Sequence, residues 1–121
     1  EDTDTAGIVY YAGYLRFMER GRTEWLRSLG VEQLRLAQDT GIVFAVRSLS
    51  IEYLKPARLD DLLAVVTKLT LAGRAQITLA QRIEREGETL VEASVRIACL
   101  NAGNMKPAAL PEGIRRKMGA S

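Results

Sequence analysis

Residues 14–29 read YLRFMERGRTEWLRSL and residues 42–54 read IVFAVRSLSIEYL. In the first stretch Tyr14, Phe17, Met18, Trp25 and Leu29 recur at steps of three and four, with Gly21 on the same stripe, while Arg16, Glu19, Arg20 and Arg27 fall elsewhere. That period is one face of an amphipathic helix of about four turns. In the second, Leu49, Ile51 and Tyr53 alternate with Ser48, Ser50 and Glu52, the period of two that belongs to a half-buried strand. The change of period decides the fold class: a long helix comes first and a sheet follows.

Working outward, Gly30 stands where a left-handed C-terminal cap belongs, and Gly21 is small enough to let a neighbouring strand approach closely. A shorter helical turn is expected from Val31 to Gln38, ended by Gly41. The first strand, Ile42 to Leu54, should stop before Pro56, which cannot donate to a ladder. A second strand is expected over Leu62 to Ala72, with Leu63, Val65, Leu69 and Leu71 on one face. Gly73-Arg74 makes a tight connection to a third, in which Ala75, Ile77, Leu79 and Ile83 alternate with Gln76, Thr78, Arg82 and Glu84. After the hairpin break at Glu86-Gly87-Glu88, Val91, Ala93, Val95, Ile97 and Cys99 mark a fourth. The tail from Asn101 reads as irregular, with a short helix near Ile114 to Met118. One helix followed by four long strands with short joins predicts an α+β sandwich, an antiparallel meander with the helix on one face. A single domain over 1–121 is expected.

The 121 residues, 47% apolar and 26% charged, have the balance of a globular domain that buries roughly two-thirds of its unfolded surface. No stretch approaches the ~20 apolar residues of a membrane span. The 17 basic and 15 acidic residues are interspersed and leave a net charge of +2, which does not suggest nucleic-acid binding. A lone cysteine, Cys99, has no partner within the chain and sits in an apolar strand, so a core role and a reducing cytoplasm are expected. The chain contains no histidine. Serine or cysteine nucleophiles activated by imidazole are thereby excluded, and a tetrahedral zinc site is implausible. Acid-base or nucleophilic work falls to Asp, Glu, Lys, Tyr or the backbone.

One segment stands out for chemistry. Asp2-Thr3-Asp4 precedes Ala6-Gly7-Ile8-Val9-Tyr10-Tyr11, and then the helix carrying Tyr14-Leu15-Arg16-Phe17-Met18-Glu19. Together with Arg22-Thr23-Glu24-Trp25-Leu26, Glu52-Tyr53-Leu54-Lys55-Pro56-Ala57, Met105-Lys106-Pro107 and Ala109-Leu110-Pro111, this order resembles the hot-dog thioesterases of the 4-hydroxybenzoyl-CoA thioesterase group, closest to the YbgC-type, Tol-Pal-associated branch. The resemblance implies a sheet wrapped around the long helix and hydrolysis of acyl-CoA. It also implies edge-to-edge homodimers that bind substrate at their interface, commonly pairing into a homotetramer. It places the catalytic carboxylate on Asp4, with Asp2 in support, and an oxyanion donor on the amide of Tyr11. It also leads to the expectation that a strand before Glu1 completes the domain.

The chemistry suits those residues. An aspartate with an ordinary pKa of about 3.9 is ionised at neutral pH, ready to attack a thioester carbonyl or to take a proton from water. Free N–H groups at a helix start offer hydrogen bonds and a favourable dipole to the oxyanion. No metal or redox cofactor is expected, the coenzyme A thioester being substrate. Lys55, Arg58, Arg74 and Lys106, in turns or tail, are the candidate cations for coenzyme A phosphates. Glu19 and Glu24 lie on the helix that carries a catalytic glutamate in other hot-dog thioesterases, but here a solvated face or an ion pair is the simpler role. In one place the chain departs from the branch: where its members commonly have histidine followed by Ala-Asn-Tyr, this chain reads Tyr11-Ala12-Gly13-Tyr14. The alternative is a module that binds acyl-CoA or acyl carrier protein with little catalysis. A hot-dog dehydratase, whose chemistry usually employs histidine, fits less well.

Overall fold

The computed structural model describes residues 11–58 and 61–119. The elements run α1 (Tyr11–Ser28), α2 (Gln33–Thr40), β1 (Ile42–Tyr53), β2 (Leu63–Ala72), β3 (Gln76–Arg85), β4 (Glu88–Asn101) and α3 (Glu112–Lys117). The helix and strands predicted from periodicity are therefore present, the second helix two residues later than expected. Asp2 and Asp4 lie outside the described residues, as does the expected strand before Glu1.

α1 ends in a Schellman motif. Gly30, at φ +81°, donates to Arg27 O at 2.9 Å, and Val31 donates to Leu26 O at 2.9 Å; both Leu26 and Val31 are buried in the same apolar cluster, the contact that accompanies this cap. β3 and β4 are joined by the two residues Glu86 and Gly87, with φ of 51° and 81°. Two positive φ values are those of a type I′ turn, whose twist matches the flanking strands.

The strand order is β1-β4-β3-β2, all neighbours antiparallel. This corrects the simple meander. Only β2, β3 and β4 follow one another; β1 pairs with β4, so the connection after Tyr53 crosses the end of the sheet instead of turning back. The crossing is tied as it passes: Leu54 and Lys55 donate to Leu90 O at 2.8 and 3.1 Å, and Ala57, fully buried, donates to Tyr14 Oη at 3.0 Å. β1 ends at Tyr53, ahead of Pro56 as expected, and farther along the connection Asp61 donates to Arg58 O at 3.1 Å.

The odd-numbered residues of β4, Val91 to Cys99, face α1 and are buried almost completely together with Ile77, Leu79 and Ile83 of β3. Fully burying one such side chain contributes about 1.5–3 kcal/mol. Cys99 belongs to this core, and burial pushes its thiol pKa up. In β2 a bulge between Leu69 and Leu71 inserts Thr70. The extra residue turns Leu71, expected beside Leu69, to the opposite face, where it is 63% exposed. Among the described residues no helix is long and apolar enough to cross a membrane.

Candidate functional site

The start of α1 is one end of the candidate site. Among the described residues α1 begins at Tyr11, and its first described turn carries no acidic side chain. One turn on, the Tyr14 ring is buried and lies 5.7 Å from the Tyr53 ring at 34°. Its hydroxyl, accepting from Ala57 N, fixes the crossing connection against the helix start. Sequence periodicity marks Tyr14 only as apolar; a phenol on a buried stripe is the signal that it also needs a partner.

The four cations proposed for coenzyme A separate into two pairs. Lys55 and Arg58 lie at the end of the sheet nearest the start of α1. Arg74 and Lys106 lie at the other end, in the β2–β3 turn and the loop after β4, a strand length or roughly 30 Å away. One chain therefore cannot bring all four to one ligand. Lys55 is ion-paired with Glu88, and Arg85 bridges Glu88 at 2.9 Å and Asp61 at 2.8 Å. Asp61 Oδ2 also accepts from the Arg58 backbone N–H at 2.7 Å. That N–H and Arg85 hold the Asp61 carboxyl below its ordinary pKa; Lys55 and Arg85 do the same for Glu88. At the far end Leu110 donates to Arg74 O at 2.8 Å, and the exposed Lys106 closes a turn with its backbone N–H on Asn104 Oδ1 at 2.9 Å.

Between α1 and β1 runs an open groove of about 680 Å³. Phe44 and Val46 of β1, Ile77 and Leu79 of β3 and Ile97 of β4 make an apolar floor, and Arg16, Glu19, Arg22, Glu24 and Arg27 of α1 line it from above. Glu24 is paired with Arg27, the ion-pair role expected of it; Glu19 lies beside Arg22, whose charge it favours.

Sequence reading missed Gln81. It falls on the core face of β3, between Leu79 and Ile83, and is 2% exposed. Its Nε2 donates to Met18 O and to Thr67 Oγ1, both at 3.0 Å, and its Oε1 accepts from Arg22 Nη1 at 3.0 Å. One buried amide thus ties α1 to β2 and β3. A polar residue interrupting an apolar alternation was the available signal.

A model of the thioesterase superfamily matches residues 6–92. The acyl-CoA thioesterase YbgC of Haemophilus influenzae is 44% identical over 95% of this chain and 85% of that protein. The acyl-CoA thioester hydrolase YbgC of Escherichia coli is 43% identical over 94% of this chain and 85% of its own length. Among solved structures, a probable thioesterase from Bartonella henselae superposes with a TM-score of 0.83 at 39% identity, covering 91% of this chain and 90% of that one. Motif order, architecture and these likenesses agree: the chain belongs to the thioesterase superfamily, as an enzyme of the hot-dog fold in its YbgC-type branch.

Proposed function

We propose that the protein hydrolyses acyl-CoA thioesters to a free acid and coenzyme A, with the Asp4 carboxylate as base or nucleophile and the Tyr11 amide as oxyanion donor. The observation that carries the reading is the groove beside α1. Its apolar floor suits an acyl chain, its rim holds more arginine than glutamate, and it runs along the helix whose first turn carries Tyr11. The named activity of the YbgC relatives supports the same reaction.

As base, Asp4 takes a proton from water as the water oxygen bonds to the carbonyl carbon. The C–S bond then breaks and the departing thiolate takes the proton. As nucleophile, a carboxylate oxygen displaces the thiolate, and water then opens the mixed anhydride. In both routes the negative oxygen is met by the helix-start amide, a donor whose loss costs about 3 kcal/mol of transition-state stabilisation. Asp4→Asn should lower kcat by about a hundredfold to ten-thousandfold while calorimetric binding of a hydrolysis-resistant acyl-CoA analogue persists. Turnover at the parent rate would overturn the assignment.

A homodimer through β1 belongs to this reading. β1 is a long edge strand among the described residues, with Val46 50% exposed and Leu49 and Tyr53 partly so; an edge of this kind invites pairing. Pairing into a tetramer, a cytoplasmic location and acyl carrier protein as a second thioester carrier complete the proposal. Tyr11, where the branch commonly has histidine, favours a second reading: a module that binds the thioester but cleaves it poorly. Tight calorimetric binding without thiol release would select it.

A further inference from the structure

Arg22 separates this groove from a plain hydrocarbon slot. Its guanidinium is half-buried, and among the described residues its hydrogen bond is the one from Nη1 to Gln81 Oε1 at 3.0 Å. The Gln81 amide is held in one orientation. Its NH₂ serves Met18 O and Thr67 Oγ1, and a flipped amide would present donors to a guanidinium that has only donors itself. A guanidinium carries five N–H donors in a planar fork. The single bond to Gln81 fixes the fork and leaves donors for an acceptor arriving in the groove that Arg22 lines. Burial pulls its pKa down, opposed by the nearby Glu19, so a bound anion would relieve a cost the protein already bears.

The surrounding charge agrees. The groove is lined by Arg16, Arg20, Arg22 and Arg27 against Glu19 and Glu24, and Glu24 is engaged with Arg27. We infer that Arg22, aimed by Gln81, is a specificity-determining residue that binds a carboxylate at the far end of the acyl chain. ω-Carboxylated acyl thioesters are thereby favoured over plain aliphatic ones of equal length. The inference rests on the reading that the groove holds the acyl chain. Tyr11 and Arg22 are separated by about 16 Å along the helix axis. Because helical side chains lean toward the N-terminus, the distance left to span suits a chain of medium length.

The test is a comparison of succinyl-, adipyl- and suberyl-CoA with butyryl-, hexanoyl- and octanoyl-CoA in the parent, Arg22→Met and Arg22→Lys proteins. In Arg22→Met the ratio of kcat/KM for the dicarboxylic over the neutral substrate should fall about tenfold or more at the best-fitting length, the loss of one charge-assisted hydrogen bond. The change should lie mainly in KM and be larger for the dicarboxylic series than for the neutral one, and Arg22→Lys should recover part of the ratio. A ratio unchanged at every length overturns the inference. So does a parallel loss for both series accompanied by dissociation in size-exclusion chromatography, which would make Arg22 a contact between copies. Calorimetry with suberate and octanoate supplies a readout independent of turnover. An Arg22-dependent preference for suberate in a protein that cleaves nothing would sink the hydrolytic reading and leave this one standing; cleavage without that preference would do the reverse.

Discussion

The two flanks of α1 meet the sheet in different ways. Toward β2 the contact is close: a Cβ on Gly21 would lie 2.7 Å from Val65 Cγ1 and 3.4 Å from Gln81 Nε2. The buried Gln81 amide bonds both elements there. Toward β1 the same helix stands away from the sheet over the groove of about 680 Å³, leaving half of Val46 in solvent. A helix has one width and the sheet has four strands among the described residues, so drawing α1 down onto β2 is what uncovers the inner face of β1. Close packing on one side makes the candidate site on the other.

The sharpest way to break this asymmetry is to place the same side chain on both flanks. Gly21→Leu should cost about 3 kcal/mol, the upper part of the range for overpacking, because even its first carbon has no room beside Val65. Thr23→Leu, beside the groove, should stay within about 0.5 kcal/mol of the parent. Urea midpoints of the two variants measure both, and equal losses would mean that the flanks are packed alike. Next, Gln81→Leu should cost about 2 kcal/mol, since it leaves the Arg22 guanidinium and the Thr67 hydroxyl without their shared partner. A change below about 0.5 kcal/mol would show that the amide does not hold the helix.

The smallest effect concerns the charged group that pins the crossing connection. Asp61 and Glu88 have carboxyl pKa values held below normal, by the Arg58 N–H and Arg85 for Asp61 and by Lys55 and Arg85 for Glu88. A depressed folded value means that their contribution is complete above the ordinary carboxylate range near pH 4 and is lost as pH falls below it through the folded values. Lys55 is exposed and Asp61, Arg85 and Glu88 are only partly covered, and ion pairs so close to solvent are weak. Denaturant midpoints taken at pH 7 and near pH 3 should therefore differ slightly less in Arg85→Met than in the parent. An identical acid dependence would remove this role.

Where local chemistry set the outcome, the sequence was enough. The stripe from Tyr14 to Leu29, the cap at Gly30, the closing of the second helix at Gly41 and the turn at Glu86-Gly87 follow from a period or from the φ freedom of glycine, and neighbours in the chain decide both. The family was equally legible, because its motifs run in order along the chain. Other features were decided only when distant segments met. β1 beside β4 depends on how the crossing connection is tied to Leu90 and Tyr14, residues far from it in sequence. Leu71 faces outward because one inserted residue reverses the alternation, and period-counting cannot see an unpaired position. Lys55 is held by Glu88, and Arg74 and Lys106 lie at the opposite end of the sheet, since turn residues reveal their charge but not which end they occupy. Gln81 is the clearest case. Its type and its even spacing among apolar neighbours are in the sequence, but its three bonds exist only because a buried amide must find partners and the fold brings a helix carbonyl, a threonine hydroxyl and an arginine to it.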